Sequence, residues 1–223
     1  MRRFIATLCL LLATALPATG ATPSADQAAS GLKAALNQGA SKAVALLGRE
    51  DGFFGNPEVR IPLPGKLQKA RKTLKKLGLK KQTDALELAI NRAAEAAVPQ
   101  ARQLFVDAIG RMSVADAVSI LKGPEDAATQ YFRATMTAPL TEAFQPIVGE
   151  ATAEIDLAKS YDALAAKASA LGLMDGEDAS LDAYVTRKAL DGLFLIMARE
   201  EVAIRKDPMG QADALLRSVF GSL

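Results

Sequence analysis

Apolar residues recur every three or four positions along nearly the whole chain, and no stretch shows the alternation of a half-buried strand. The pattern predicts an all-α fold. A first helix spans about Ser24 to Leu47, with Ala28, Leu32, Ala35, Leu36, Ala43, Val44 and Leu47 on one stripe and Gly48 as terminator. Gly31 and Gly39 within it offer close helix contact. A basic helix follows, KLQKARKTLKKLG, with Leu67, Ala70, Leu74 and Leu77 on one face. Thr83 to Val98 turns Leu86, Ala89, Ile90, Ala93 and Ala97 inward, and Pro99 leads into Gln100–Arg111, buried through Leu104, Phe105, Ala108 and Ile109. Ser113 and Asp116 form a variant capping box for a short helix ending at Gly123.

Pro124, Glu125 and Asp126 then start another helix, with acid on the positive end of its dipole. Pro139 and Pro146 are expected to cut the stretch after it into short helices. An Ala-rich helix covers Ile155 to Leu171, an acidic turn Leu173 to Ser180, and a last major helix Leu181 to Lys206. The centre of that helix, Leu193 to Ala198, is apolar all round, which predicts burial on every side. A short tail helix, Ala212 to Phe220, finishes the chain. No repeat or linker interrupts residues 22–223, so one domain of about eight to ten helices around Leu181–Lys206 is expected.

The helical pattern breaks once at length, over Arg49 to Pro64, REDGFFGNPEVRIPLP. Gly52, Gly55 and Asn56-Pro57 are turn residues, and Ile61-Pro62-Leu63-Pro64 must be extended. A connection this long either carries function or packs through its own side chains, and Phe53, Phe54, Val59 and Ile61 favour packing.

The first residues read differently from the rest. Arg2 and Arg3 precede an apolar run from Phe4 to Leu16, and small residues follow at Ala18 to Ala21. This is the layout of a cleaved secretory signal peptide over residues 1–21, and it predicts a periplasmic protein cut near Gly20 or Ala21. The run is too short for a stable membrane span, so no transmembrane segment is expected in the mature form. Cys9 follows Leu8 rather than a small residue and reads as part of the apolar run, not as a lipid-bearing cysteine. Leu16-Pro17-Ala18-Thr19-Gly20 matches a sortase-type pentapeptide but sits at the wrong end of the chain for one.

Loss of that leader changes the composition. Without Arg2 and Arg3 the 27 basic residues fall to the number of acidic ones, 25, so the mature chain is neutral and no nucleic-acid partner is expected. Cys9 leaves too, and what remains has no Cys, His or Trp. Disulfides, Ser-His-Asp and Cys-His catalysis, and zinc sites built on His or Cys are excluded. Any enzyme chemistry must use carboxylates, Lys, Tyr, Ser/Thr or a hard cation on oxygen ligands. Nothing in the chain points to a resident cofactor or metal.

Several blocks, among them LLGREDGFFGNPEVRIPLP, NRAAEAAVP, FVDAIGRMSVADAVSILKG, DAATQYFRATM and YVTRKALDGLFLIMAREE, resemble a bacterial secreted family known as domain of unknown function 4197. The resemblance runs from about Leu32 to Phe220. It implies a single envelope domain of Gram-negative bacteria, and it assigns no activity and no site residues.

Candidate chemistry gathers in few places. The loop residues Arg49, Glu50, Asp51, Phe53, Phe54, Asn56 and Arg60 combine both charge signs, aromatics and glycines, and form the first candidate for ligand or partner binding. The alternative is an ordered loop whose phenylalanines plug the bundle. Lys66, Lys69, Arg71, Lys72, Lys75, Lys76, Lys80 and Lys81 form a basic face that either reads anionic partners or is balanced by acids elsewhere. Asp175, Glu177, Asp178 and Asp182 lack the ligand alternation of a calcium loop and read as a turn capped at Ser180 or Asp178. Glu87 and Glu95 share a helix face, as a carboxylate pair for hydrolysis would. Asn91 and Arg92, then Tyr131 and Arg133, and Tyr184, Arg187, Lys188 and Asp191 either line a cleft or pair between helices. The expected role is a non-enzymatic binding or interaction protein with an envelope protein or lipid as partner. The alternatives are a carrier holding an apolar ligand between helices and a carboxylate- or cation-dependent enzyme.

Overall fold

A computed structural model describes residues 24–154, 157–170 and 180–207. Among these, eight α-helices follow in order: α1 (Ala25–Leu47), α2 (Gly65–Lys76), α3 (Lys80–Ala97), α4 (Ala101–Arg111), α5 (Val114–Lys122), α6 (Ala127–Glu154), α7 (Leu157–Ala170) and α8 (Leu181–Lys206). A single 3₁₀ turn at Val98–Gln100 joins α3 to α4. The all-α expectation holds, and α8 packs against α1, α3 and α6 as the helix the others surround. The leader, the acidic turn before Ser180 and the tail helix lie outside the described residues.

Local chemistry sets most helix ends. Ser24 accepts the Gln27 N–H while the Gln27 side chain accepts the Ser24 N–H, a reciprocal cap that opens α1. Ser113 and Asp116 do the same for α5, and Ser180 caps α8 by accepting the Ala183 N–H. The two Ser113 hydrogen bonds to Asp116 lower the pKa of that carboxyl. α2 ends in a Schellman turn, in which Gly78 (φ 81°) donates to the Lys75 carbonyl and Leu79 to that of Leu74. That turn sends Leu79 toward the core and leaves Leu77 55% exposed, so Leu77 does not join Leu67, Ala70 and Leu74 on the buried face.

α6 corrects a second expectation, because it runs unbroken through Pro139 and Pro146. Besides Thr129, its buried positions are Ala128, Phe132, Met136, Leu140, Phe144, Val148 and Thr152, one every four residues. On an ideal helix a four-residue step advances about 40° around the axis, so this band winds instead of running straight. It finds neighbours on several sides, since α3, α4, α5, α7 and α8 all touch α6. The two prolines leave the carbonyls of Thr135 and Glu142 without a donor, but both residues are exposed and water can serve them. Burying so long a band outweighs a proline cost of about 3 kcal/mol each.

The core is closed by edge-on aromatic contacts between α4, α6 and α8, with Phe105 5.6 Å from Phe132 and 6.4 Å from Phe194. In the apolar centre of α8, Leu193, Phe194, Ile196 and Met197 are buried, but Leu195 is 40% exposed, so that segment is not covered on every side. Below it, Glu201 accepts the Ala128 and Thr129 N–H groups at 2.9 Å, filling the place of an N-cap for α6. Arg205 pairs with Glu201 at 3.0 Å and donates to the Ile120 carbonyl at 2.9 Å, at the end of α5. One buried ion pair thus joins the positive end of α6 to the negative end of α5.

Glu201→Ala removes the carboxylate that pairs with Arg205 and leaves the first N–H groups of α6 unpaired, so it is expected to cost about 3–5 kcal/mol in urea unfolding. Glu201→Gln retains one acceptor and should cost clearly less. Equal losses for the two variants would show that charge alone, not the cap, stabilises the joint.

Candidate functional site

The loop between α1 and α2 enters on a tight turn. Asp51 takes a left-handed conformation (φ 61°), and a Cβ on Gly52 would lie 2.7 Å from the Leu46 carbonyl, so only glycine fits there. Phe53 then drops fully into the core against Gly192 of α8, where an added Cβ would come within 2.7 Å of its ring. The glycine in α8 therefore makes room for the loop.

What receives the loop is a ladder of buried polar side chains on α3, Thr83, Glu87, Asn91 and Glu95, spaced four apart. Asn91 accepts the Ile61 N–H at 2.8 Å and donates to the Ile61 carbonyl at 2.8 Å, as a neighbouring strand would. It also donates to the Glu87 carbonyl, so the amide is used on both sides. Glu95 accepts the Phe53 N–H at 2.9 Å and the Phe54 N–H at 3.1 Å, and pairs with Arg92 at 2.6 Å. Glu87 pairs with Arg60 and Arg71. From the other side, Tyr184 donates to the Pro62 carbonyl at 3.0 Å and Arg199 pairs with Glu58. Burial raises the Tyr184 pKa, keeping the phenol a donor.

The sequence candidates divide accordingly. Arg92 brings Glu50 and Asp51 together at the surface, its pKa raised chiefly by the hydrogen bond to Glu95. Arg60 stacks 4.0 Å over the ring of half-buried Phe54. Asn56 accepts the Glu58 N–H with its side chain and thereby shapes the turn. Arg49 is exposed. Glu87 and Glu95 do not form a free catalytic pair, because arginines hold Glu87, and Arg92 with two backbone N–H groups holds Glu95. Arg60, with Glu58 and Pro62, lines a groove of about 150 Å³ open to solvent, whose other wall is Lys188, Asp191 and Leu195 of α8.

Two further surfaces emerge. Arg71 and Lys75 are held by Asp84, whose carboxyl pKa is lowered first by the Arg71 and then by the Lys75 hydrogen bond. Lys69, Lys72, Lys76, Lys80 and Lys81 stay exposed around Leu77 at the α2–α3 turn. A narrow apolar cleft of about 20 Å³, partly open to solvent, lies between α1, α6 and α8 among Leu32, Leu36, Phe132 and Met197, away from Phe53 and Phe54. Asp182 of the acidic quartet accepts a hydrogen bond from Thr152 at 2.8 Å, and Asp175, Glu177 and Asp178 lie outside the described residues. Among the described residues no cluster of acids is placed to hold a metal, and no helix is long and apolar enough to cross a membrane. The exposure of Leu77 and the anchoring role of Asn91 were not foreseen. The first needed the turn geometry, and the second was visible only as a polar residue on an apolar helix face.

The chain belongs to the family described as Protein of unknown function (DUF4197), whose family model matches residues 22–221. No curated protein and no solved structure matches it.

Asn91→Ala would leave the N–H and carbonyl of Ile61 without partners, a cost of about 2–4 kcal/mol. Proteolysis should then cut first within residues 49–63. Asn91→Asp keeps the acceptor but turns a second oxygen toward the Ile61 and Glu87 carbonyls, which raises the pKa of the new carboxyl. Its destabilisation should be greatest at neutral pH and should shrink as pH falls and protonation restores one donor. A loss below about 1 kcal/mol for Asn91→Ala would show that water replaces the amide.

Proposed function

We propose that the protein is an exported, non-enzymatic binding protein of the cell envelope that docks on anionic lipid surfaces through its α2–α3 turn. The observation that carries this reading is Leu77, 55% exposed at the apex of the turn, amid exposed Lys72, Lys76, Lys80 and Lys81. No acidic residue occurs between Val59 and Thr83, so nothing within this segment offsets its charge. Asp84 answers Arg71 and Lys75 and leaves the outer lysines to solvent. An apolar tip ringed by lysines suits an anionic bilayer, where leucine enters the interface and each lysine contributes about 1 kcal/mol. Export and a periplasmic site rest on the leader pattern of residues 1–21. The engagement of Glu87 and Glu95 in packing favours binding over carboxylate catalysis.

Co-sedimentation with phosphatidylglycerol and phosphatidylcholine vesicles tests the docking. Binding is expected to the anionic vesicles only and to weaken steeply between low and physiological salt. Lys72→Glu with Lys76→Glu should weaken it by at least about 30-fold, and Leu77→Ser by a smaller factor. Equal binding to both vesicle types, no binding to either, or no effect of the lysine changes overturns the reading. Osmotic-shock release of a processed chain checks export, and retention at precursor mass in the cytoplasm overturns that half.

A further inference from the structure

The polar residues of α6 and α8 meet in a second groove, which shares Asp191 with the groove beside the loop. On α6, Arg133, Thr137, Thr141 and Gln145 repeat every four residues, one position along from the buried band at Phe132, Met136, Leu140 and Phe144. They therefore follow the same winding path and form one continuous wall. On α8, Ala183, Thr186 and Arg187 form the facing wall, above a floor of Leu190 and Phe194. The space between them is about 140 Å³ and open to solvent. An apolar floor with a few converging polar groups is the general form of a small-molecule site.

Its electrostatics are unbalanced. Asp191 is the acid at this groove, and it is shared between Arg133 at 3.2 Å and Lys188 at 3.7 Å. Arg187 has no acidic partner among the described residues and leans toward the Tyr184 ring at 5.7 Å. Two guanidinium groups thus face one space from opposite helices, with one carboxylate between them and a lysine. Thr186, which lines the same groove, is 2% exposed, and its hydroxyl has no hydrogen-bond partner. Buried hydroxyls are nearly always paired, and this one lies unpaired beneath the groove wall. The hydroxyls of Thr137 and Thr141 donate to carbonyls one turn back, which leaves their lone pairs as acceptors.

We propose that the groove between α6 and α8 binds a small organic anion, its carboxylate or phosphate held between Arg133 and Arg187 and its hydroxyl or amide groups set against Thr137, Thr141 and Gln145. Guanidinium forks suit planar or tetrahedral oxyanions, and threonine lone pairs accept from the ligand's own donors. The inference stands independently of docking through the α2–α3 turn, because it uses none of the same residues.

Isothermal titration of the purified protein tests it, with three probes: galacturonate for a carboxylated sugar, glutamate for an amino acid, and glycerol phosphate for a phosphate ester. At least one should bind in the millimolar range or tighter and raise Tm. Which one binds separates the carboxylate from the phosphate source. Arg187→Gln should weaken that binding by about 10- to 100-fold while leaving the ligand-free Tm unchanged, since this side chain holds no ion pair. Thr186→Val should leave the ligand-free protein as stable as before and weaken binding. Lys72→Glu should change nothing here. Failure of all three probes to bind at 10-fold over about 1 mM, or binding that survives both Arg187→Gln and Arg133→Gln, overturns the proposal.

Discussion

The two hydrogen bonds between the Asn91 side chain and the Ile61 backbone are the constraint on which the rest of this fold turns. Where a long non-helical segment enters a helical bundle it faces a simple difficulty: its buried N–H and carbonyl groups have no ladder of their own. Here a helix side chain supplies what a neighbouring strand would. Glu95 does the same for the two phenylalanine N–H groups. The cost is a helix that cannot be simply amphipathic. α3 carries an apolar face through Leu86, Ile90, Ala93 and Ala97, and beside it a buried polar face through Thr83, Glu87, Asn91 and Glu95. Because each carboxylate on that face meets an arginine or backbone donors, burial brings stability to the loop instead of an unpaired charge.

Much of this architecture was legible in the sequence. Capping residues and three-to-four-residue periodicity located α1, α5 and α8 closely, because caps and apolar stripes are local signals. Phe53, Val59 and Ile61 were read as packing residues, and they are buried. The winding of α6 was less visible. Its buried positions repeat every four residues, a spacing that looks weakly amphipathic on a straight helix, and the two prolines suggested breaks. Whether proline ends a helix depends on where the freed carbonyls point, and that is a tertiary fact. Leu77 failed for a related reason: the Schellman turn at Gly78 brings Leu79 back against the core and leaves Leu77 at the tip. The loop candidates were chosen by composition, and composition does not distinguish side chains that face a ligand from side chains that hold a turn.

α8 works as the common wall for segments that are distant in the chain. Tyr184 holds the extended Ile61–Pro64 stretch, Gly192 admits Phe53, Arg199 takes Glu58, and Glu201 with Arg205 joins α5 to α6. These positions are polar or small beside the buried apolar face of the helix. Each one matches a particular neighbouring segment, which explains why a helix with so apolar a centre carries so many charged and small residues. The polar positions specify register, and the apolar ones supply the driving force.

The charge of the molecule is better understood by location than by sum. The buried carboxylates Glu87, Glu95 and Glu201 are matched by Arg60, Arg71, Arg92 and Arg205, so the interior pairs nearly cancel. What a partner meets is the remainder, and it is uneven. The segment from Val59 to Thr83 holds only basic charges, whereas acids such as Glu142 and Glu150 lie far along the chain on α6. At physiological salt the screening length is about 8 Å, shorter than a domain, so separate patches act on partners almost independently. A chain close to neutral overall can therefore present a strongly cationic turn and a cationic groove, because net charge governs solubility while local charge governs recognition.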